Sequence, residues 1–319
     1  MIKSSRLFML SVLLFAANCA AQQVSTSQQP PQQPKPNDQA QFFQLATNGS
    51  IFVYGSGADP CAAPPPGTTL LPLGSGFVAG IEKSGASKPG AWNGWKFLVT
   101  AKHVLANRAD VTIRVNSEDG SKFVCKTITL ELSGTKQNVV LAPDGVDLAA
   151  VALPEIPDCD PTVVSSSLLT DEAKMKEWNI GVGTEVLTIG YLYGFSGLQS
   201  NYPVAKFGRI SLITEEPWYF NPESRLMEKG YVLDLSNAPG LSGAPVFTHG
   251  VEFETDPFRY RSLPPVLIGV VKGLMLVPVN GQLISQGIAV IEPGENLRAL
   301  MVQIAAMLKA GGADVVEIS

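Results

Sequence analysis

The chain has 319 residues, enough for one large or two small folding units, and its 45% hydrophobic content is ordinary for a globular protein. A formal charge of -5 with no basic stripe argues against a nucleic-acid partner. With 30 glycines and 24 prolines, the composition suits many short strands joined by turns, and no repeat period is visible.

In chain order, the N-terminus reads as an export signal over residues 1–21. Lys3 and Arg6 precede an apolar run from Leu7 to Ala17, and small residues follow through Ala21. The run is short for a retained membrane anchor. Cys19 and Ala21 suit a small-x-small cleavage rule. A lipoprotein acylated at Cys19 competes with that reading and would tether the protein to a membrane, although Asn18 fits its motif poorly. Either way the protein is expected outside the cytoplasm, periplasmic or extracellular. Residues 22–44 are expected to be a disordered linker, because Gln22 to Gln41 is dominated by Gln, Pro and Ser.

Alternating and β-rich runs predict a first set of strands at Gly76–Val78, Lys96–Thr100, Val111–Val115, Lys122–Leu132, Val139–Leu141 and Leu148–Leu153. A connector with room for one helical turn runs from Asp171 to Trp178. The second set covers Glu185–Tyr191, Ala205–Ile213, Tyr231–Asp234, Ala244–Phe247, Val266–Gly273 and Gln286–Val290. Between two of these, Glu252 to Pro265 is expected to form a surface hairpin. From Gly294 the period becomes helical, with Leu297, Leu300, Met301, Ile304 and Leu308 on one face.

After export, Cys61, Cys125 and Cys159 remain, which allows one disulfide and leaves an odd thiol. Sequence does not choose the pair; Cys125 with Cys159 is the working guess. No cluster has metal-ligand spacing and no phosphate-type glycine loop opens a helix, so neither metal nor cofactor is expected.

The most informative stretch is Asn237-Ala238-Pro239-Gly240-Leu241-Ser242-Gly243-Ala244-Pro245-Val246-Phe247. Glycine at 240 permits a tight turn, so the N–H groups of Gly240 and Ser242 can converge beside the hydroxyl as an oxyanion hole. Such a serine needs a base and an orienting acid. The chain has 2 histidines. His103 follows the apolar strand run 95–100, whereas His249 sits in a turn too close to Ser242 to serve. Asp147 heads the uncharged run Leu148–Leu153, where burial would be costly without a hydrogen-bonded partner. The α/β-hydrolase elbow requires an acid and then a histidine after the serine, and this chain has no such pair. The order His103, Asp147, Ser242 is that of the chymotrypsin arrangement.

With Gly74-Ser75-Gly76-Phe77-Val78, Thr100-Ala101-Lys102-His103-Val104, Asp147-Leu148-Ala149 and the Ser242 motif in order, the chain resembles the trypsin-like serine peptidases. Val186–Tyr191 and Phe207–Ser211 are similar to the opening strands of the second barrel in bacterial members. The Asn-x-Pro-Gly-x-Ser-Gly-x-Pro frame is similar to the HtrA/Deg branch, from which Leu241 and Ala244 depart; no PDZ domain is expected after residue 310. The resemblance implies an all-β fold of two antiparallel six-stranded β-barrels of the chymotrypsin type with a C-terminal α-helix. The peptidase domain would span 45–310, with barrels at about 48–160 and 180–292 and the helix at 294–310.

It implies a serine endopeptidase acting on polypeptides through the triad His103, Asp147 and Ser242, with an oxyanion hole at Gly240 and Ser242. Substrate would contact Ser236, Val271, Lys272 and Gly273. No acid stands at the Ser236 position, which favours a small or medium apolar residue over Arg or Lys in the first pocket. The alternative is a catalytically weak or inactive member acting as a peptide- or protein-binding module. Sequence leaves the oligomeric state open.

Overall fold

Strands dominate because β-branched and aromatic residues recur at a period of two, and that period sorts the side chains between packing layers. The computed structural model describes residues 36–55, 59–62, 71–85, 92–195, 197–214, 216–221, 226–236, 239–249, 251–253, 260–262, 265–279 and 282–318. The predicted signal peptide and most of the predicted linker lie outside these residues.

The first half contains β1 (Ser50–Tyr54), β2 (Gly74–Glu82), β3 (Gly94–Thr100), β4 (Asp110–Asn116), β5 (Phe123–Thr129), β6 (Val139–Leu141), β7 (Ala149–Ala152) and β8 (Val163–Ser165). Seven strands run antiparallel in the order β5-β4-β1-β2-β3-β7-β6, and β8 adds to β2 in parallel. The two ends of this half-barrel are joined by loop bonds. Asn138 and Val139 donate their backbone N–H to the carbonyl of Glu131 at 3.0 and 3.3 Å.

The second half closes completely. β9 (Glu185–Gly190), β10 (Val204–Leu212), β13 (Tyr231–Asp234), β14 (Pro245–Thr248), β17 (Leu267–Val279) and β18 (Gln282–Pro293) form a barrel in the order β10-β13-β18-β17-β14-β9. Two hairpins stand outside it: β11 (Tyr219–Asn221) with β12 (Leu226–Glu228), and β15 (Val251–Phe253) with β16 (Tyr260–Ser262). The second is the hairpin expected in the 252–265 insertion. The helices are α1 (Pro36–Asn48), α2 (Lys102–Leu105), α3 (Glu172–Glu177) and α4 (Gly294–Ala310). α3 is the expected turn in the connector, capped by Asp171 accepting the Lys174 N–H at 2.8 Å.

Three apolar layers follow from the alternation. On β2 and β3, Val78 and Leu98 face the interior of the first half, whereas Phe77, Ala79, Ile81, Phe97 and Val99 face the opposite way. That second face meets Phe247, Leu267 and Val270 of the closed barrel and Leu297, Leu300, Met301 and Ile304 of α4. The interior of the second barrel is a separate layer that includes Val186, Leu233, Val246, Ile268 and Ile291. The closing helix therefore clamps the junction between the halves.

Several expectations need correction. α1 occupies residues that had been assigned to the linker up to 44, because Phe42 packs edge-on against Phe247 with ring centroids 5.3 Å apart. β1, β8 and the β11–β12 hairpin were not predicted. β1 is a fully buried central strand, so its run Ser50–Tyr54 has no polar alternation to mark it. The disulfide joins Cys125 to Cys61 rather than to Cys159, the partner expected, and leaves Cys159 free.

Candidate active site

The imidazole is delivered by a single helical turn. β3 ends at Thr100, and α2 begins at Lys102 after Ala101, whose side chain offers no cap. The unsatisfied N–H groups of that first turn need acceptors. Asp147 supplies one. Its Oδ1 accepts the backbone N–H of His103 at 3.0 Å, and its Oδ2 lies 2.7 Å from His103 Nδ1. The acid is 8% exposed, so this pairing is what makes its burial tolerable. Its own main chain is also held. Asp147 O accepts the Lys102 N–H at 3.3 Å, and its N–H donates to Glu292 Oε2 at 3.0 Å. Lys102 Nζ reaches the carbonyls of Ala142 and Pro143 at 2.8 and 3.1 Å, tying the acid loop to the histidine turn.

Ser242 arrives from the other half. Its carbonyl accepts the N–H of Ser75 at 2.8 Å, and the Ser75 carbonyl accepts Thr100 Oγ1 at 2.7 Å. These bonds run from the serine loop to the end of the strand that leads into the His103 turn. Gly74 shows the closeness of the approach. A Cβ there would lie 2.7 Å from Ser242 O and 2.9 Å from Val104 Cγ2, one residue beyond the histidine. The loop itself needs left-handed backbone, with φ of 103° at Gly240 and 88° at Gly243. Among the described residues, the N–H groups of Gly240 and Ser242 have no protein acceptor, as a pair of oxyanion donors requires. Ser242 Oγ lies 3.4 Å from the carbonyl of Lys272.

A family model described as trypsin-like peptidase domain matches residues 74–252, more than half of the chain. The chain belongs to the trypsin-like peptidase family. Among curated proteins none matches the sequence significantly. Similar solved structures include the MamO protease domain from Magnetospirillum magneticum, at 12% identity and a TM-score of 0.48, covering 81% of this chain and 97% of that one. The active form of the Rv3671c protease from M. tuberculosis is 18% identical with a TM-score of 0.45, covering 90% and 92%. Human heparin binding protein is 11% identical with a TM-score of 0.45, covering 85% and 93%.

Within this trypsin-like domain the remaining predicted residues divide. Gly273 borders open space, since a Cβ there would meet nothing within 4 Å. Lys272 lies in a bulge of the β17–β18 pairing and buries its side chain, so only its main chain faces Ser242. Val271 is unsuited to the substrate role expected of it. Its side chain is fully buried in the barrel, its carbonyl accepts the Gly243 N–H and its N–H donates to Ala244 O, each at 2.8 Å. Ser236 is exposed and lines a depression of about 480 Å³ with Asp234, Phe207 and His249; none of His103, Asp147 and Ser242 lines it. His249 is engaged by aromatic rings, with centroids 5.8 Å from Phe43 and 5.3 Å from Phe207.

Two residues escaped the sequence reading. Ser75, fully buried, donates from Oγ to Gly240 O at 2.8 Å and accepts the Tyr191 N–H at 2.7 Å, so it holds the loop before Ser242 from the first half. Its place between Gly74 and Gly76 was the one available signal. Glu292 precedes α4, where an acid ordinarily reads as a partner for the helix dipole.

Proposed function

We propose that the chain is an exported serine endopeptidase that hydrolyses peptide bonds through an acyl-enzyme. The observation that supports this most is the bidentate hold of Asp147 on His103, on the same seam to which Ser75 ties the Ser242 loop. In this reading Ser242 Oγ attacks the scissile carbonyl carbon while His103 Nε2 takes its proton. The tetrahedral oxyanion rests on the N–H groups of Gly240 and Ser242. Each such donor is worth a factor of about 100 to 1000 in rate. Collapse breaks the C–N bond, and His103 returns the proton to the leaving amine. Water then repeats the sequence and releases the acid product. Asp147 keeps its charge throughout, holds the tautomer and stabilises the imidazolium.

The Cys61–Cys125 disulfide supports work in an oxidising compartment outside the cytoplasm. For the first pocket we propose a small or medium apolar side chain, because Ser236 rather than an acid stands in the segment before the nucleophile. The decisive experiment is Ser242→Ala in a peptide-cleavage assay. Loss of hydrolysis is expected; undiminished hydrolysis ends the proposal. A parent that hydrolyses nothing and resists fluorophosphonates would be the binding module instead.

A further inference from the structure

Behind the candidate triad lies a charged cluster closed to water. The side chains of Lys272, Glu228 and Glu292 are 3%, 2% and 1% exposed. Lys272 Nζ is 3.1 Å from Glu292 Oε2 and is also paired with Glu228 Oε2. Two carboxylates thus share one ammonium. Burial pushes the Glu292 pKa up, against the opposing pull of Lys272 and the Asp147 N–H. Burial also works against the Lys272 charge, but the two carboxylates outweigh it and hold its pKa above the ordinary value. An apolar replacement of a buried ion pair is often as stable or more so, so stability alone is a weak reason for this one.

Its connections give a better reason. Glu292 Oε2 accepts the Asp147 N–H at 3.0 Å, from a residue 145 positions away in sequence, while its Oε1 accepts Asn296 Nδ2 at 2.6 Å. Lys272 belongs to the strand that frames the nucleophile. Its carbonyl is 3.4 Å from Ser242 Oγ, and the preceding Val271 bonds both Gly243 and Ala244. Glu228 enters from the end of the β11–β12 hairpin. One carboxylate therefore joins the main chain that carries the acid to the strand that frames the serine.

We propose that Glu292, acting through Lys272, is a positioning residue that fixes the Asp147–His103 pair relative to Ser242 across the junction of the two halves. The proposal rests on the peptidase reading of the site. Its physical basis is that the pair and the serine come from different halves, and displacements of about 1 Å between reacting groups can cost about 100-fold in rate.

The test compares Glu292→Leu with Glu292→Gln in the full chain. Removing this carboxylate takes the cluster from one net negative charge to neutral, with Lys272 still paired with Glu228, and thermal unfolding checks that the fold is kept. Glu292→Leu is expected to lower kcat about 100-fold with KM within about threefold of the parent. Glu292→Gln keeps an oxygen for the Asp147 N–H and is expected to recover at least about tenfold of that loss. The downfield proton resonance of His103 Nδ1–H, bonded to Asp147, should shift or broaden in the Leu variant and persist in the Gln variant. Parent-like kcat and an unchanged resonance in a folded Leu variant would overturn the proposal, as would equal losses in both variants. If the Leu variant does not fold, Glu292→Asp, whose shorter side chain withdraws the oxygen, is read in its place. A parent without hydrolytic activity refutes the peptidase reading instead, and the imidazole resonance still decides the positioning role.

Discussion

Gly243→Ala puts a single methyl group into the seam between the halves. The backbone at 243 has φ of 88°, a conformation that costs a residue with a Cβ about 1–2 kcal/mol. The new Cβ would also overlap Ser75 O and Thr100 Oγ1 and lie 3.1 Å from Ala101 N. Two of those three atoms are backbone, so rotamer changes cannot clear the overlap, and such overpacking adds about 1–3 kcal/mol. The total is a loss of about 2–5 kcal/mol, measured by urea unfolding. The only ready relief is to push the Ser242 loop away from the His103 strand, so kcat/KM for a peptide should fall by about 100-fold. Two other glycines separate the contributions. Gly312 has φ of 87° with nothing within 4 Å, so Gly312→Ala should show the conformational cost of about 1–2 kcal/mol alone. Gly181 has neither constraint, and Gly181→Ala should stay within about 0.5 kcal/mol of the parent. A Gly243→Ala protein no less stable than Gly312→Ala, with parent activity, would refute the close-seam reasoning.

Ser75→Ala removes the donor to Gly240 O and strands the buried Tyr191 N–H; urea unfolding should register a loss of about 1–3 kcal/mol, with a lower kcat from a loosened oxyanion loop. An unchanged kcat would show that the loop holds itself. Cys125→Ser opens a bridge between residues 64 apart, which chain entropy values at about 4 kcal/mol; reductant should then destabilise the parent but not the variant. At high pH, Lys272 sets a limit on stability. Its folded pKa is raised above the ordinary 10.5, so its contribution is complete below that value and is lost as pH rises through the folded pKa. Melting temperatures should therefore fall more steeply above about pH 10.5 for the parent than for Lys272→Arg, which stays charged; equal slopes would contradict the assignment.

Local features of the fold were legible where local physics decides them. The strand periodicity around residues 96–100 and 231–234 and the apolar face of α4 are written in side-chain spacing. So is the Ser242 loop, because two left-handed positions there demand glycine. Chain order alone linked His103 and Asp147 to it. What stayed hidden depends on distant partners. α1 is secured by Phe42 meeting Phe247, not by its own composition. The choice of Cys61 for Cys125 reflects where β5 lies in space. Ser75 and Glu292 look ordinary in sequence, since their roles depend on bonds to residues 165, 116 and 145 positions away. Val271 read as a substrate contact because spacing cannot tell a strand that borders the nucleophile loop from one that is bonded to it.

The most direct test of the central claim is fluorophosphonate labelling followed by peptide mapping, run on the parent and on His103→Ala. One covalent adduct on Ser242, formed at least about 1000-fold more slowly without the imidazole, is the predicted result. No adduct in the parent, or equal labelling in the two proteins, would mean that this hydroxyl is not activated by His103.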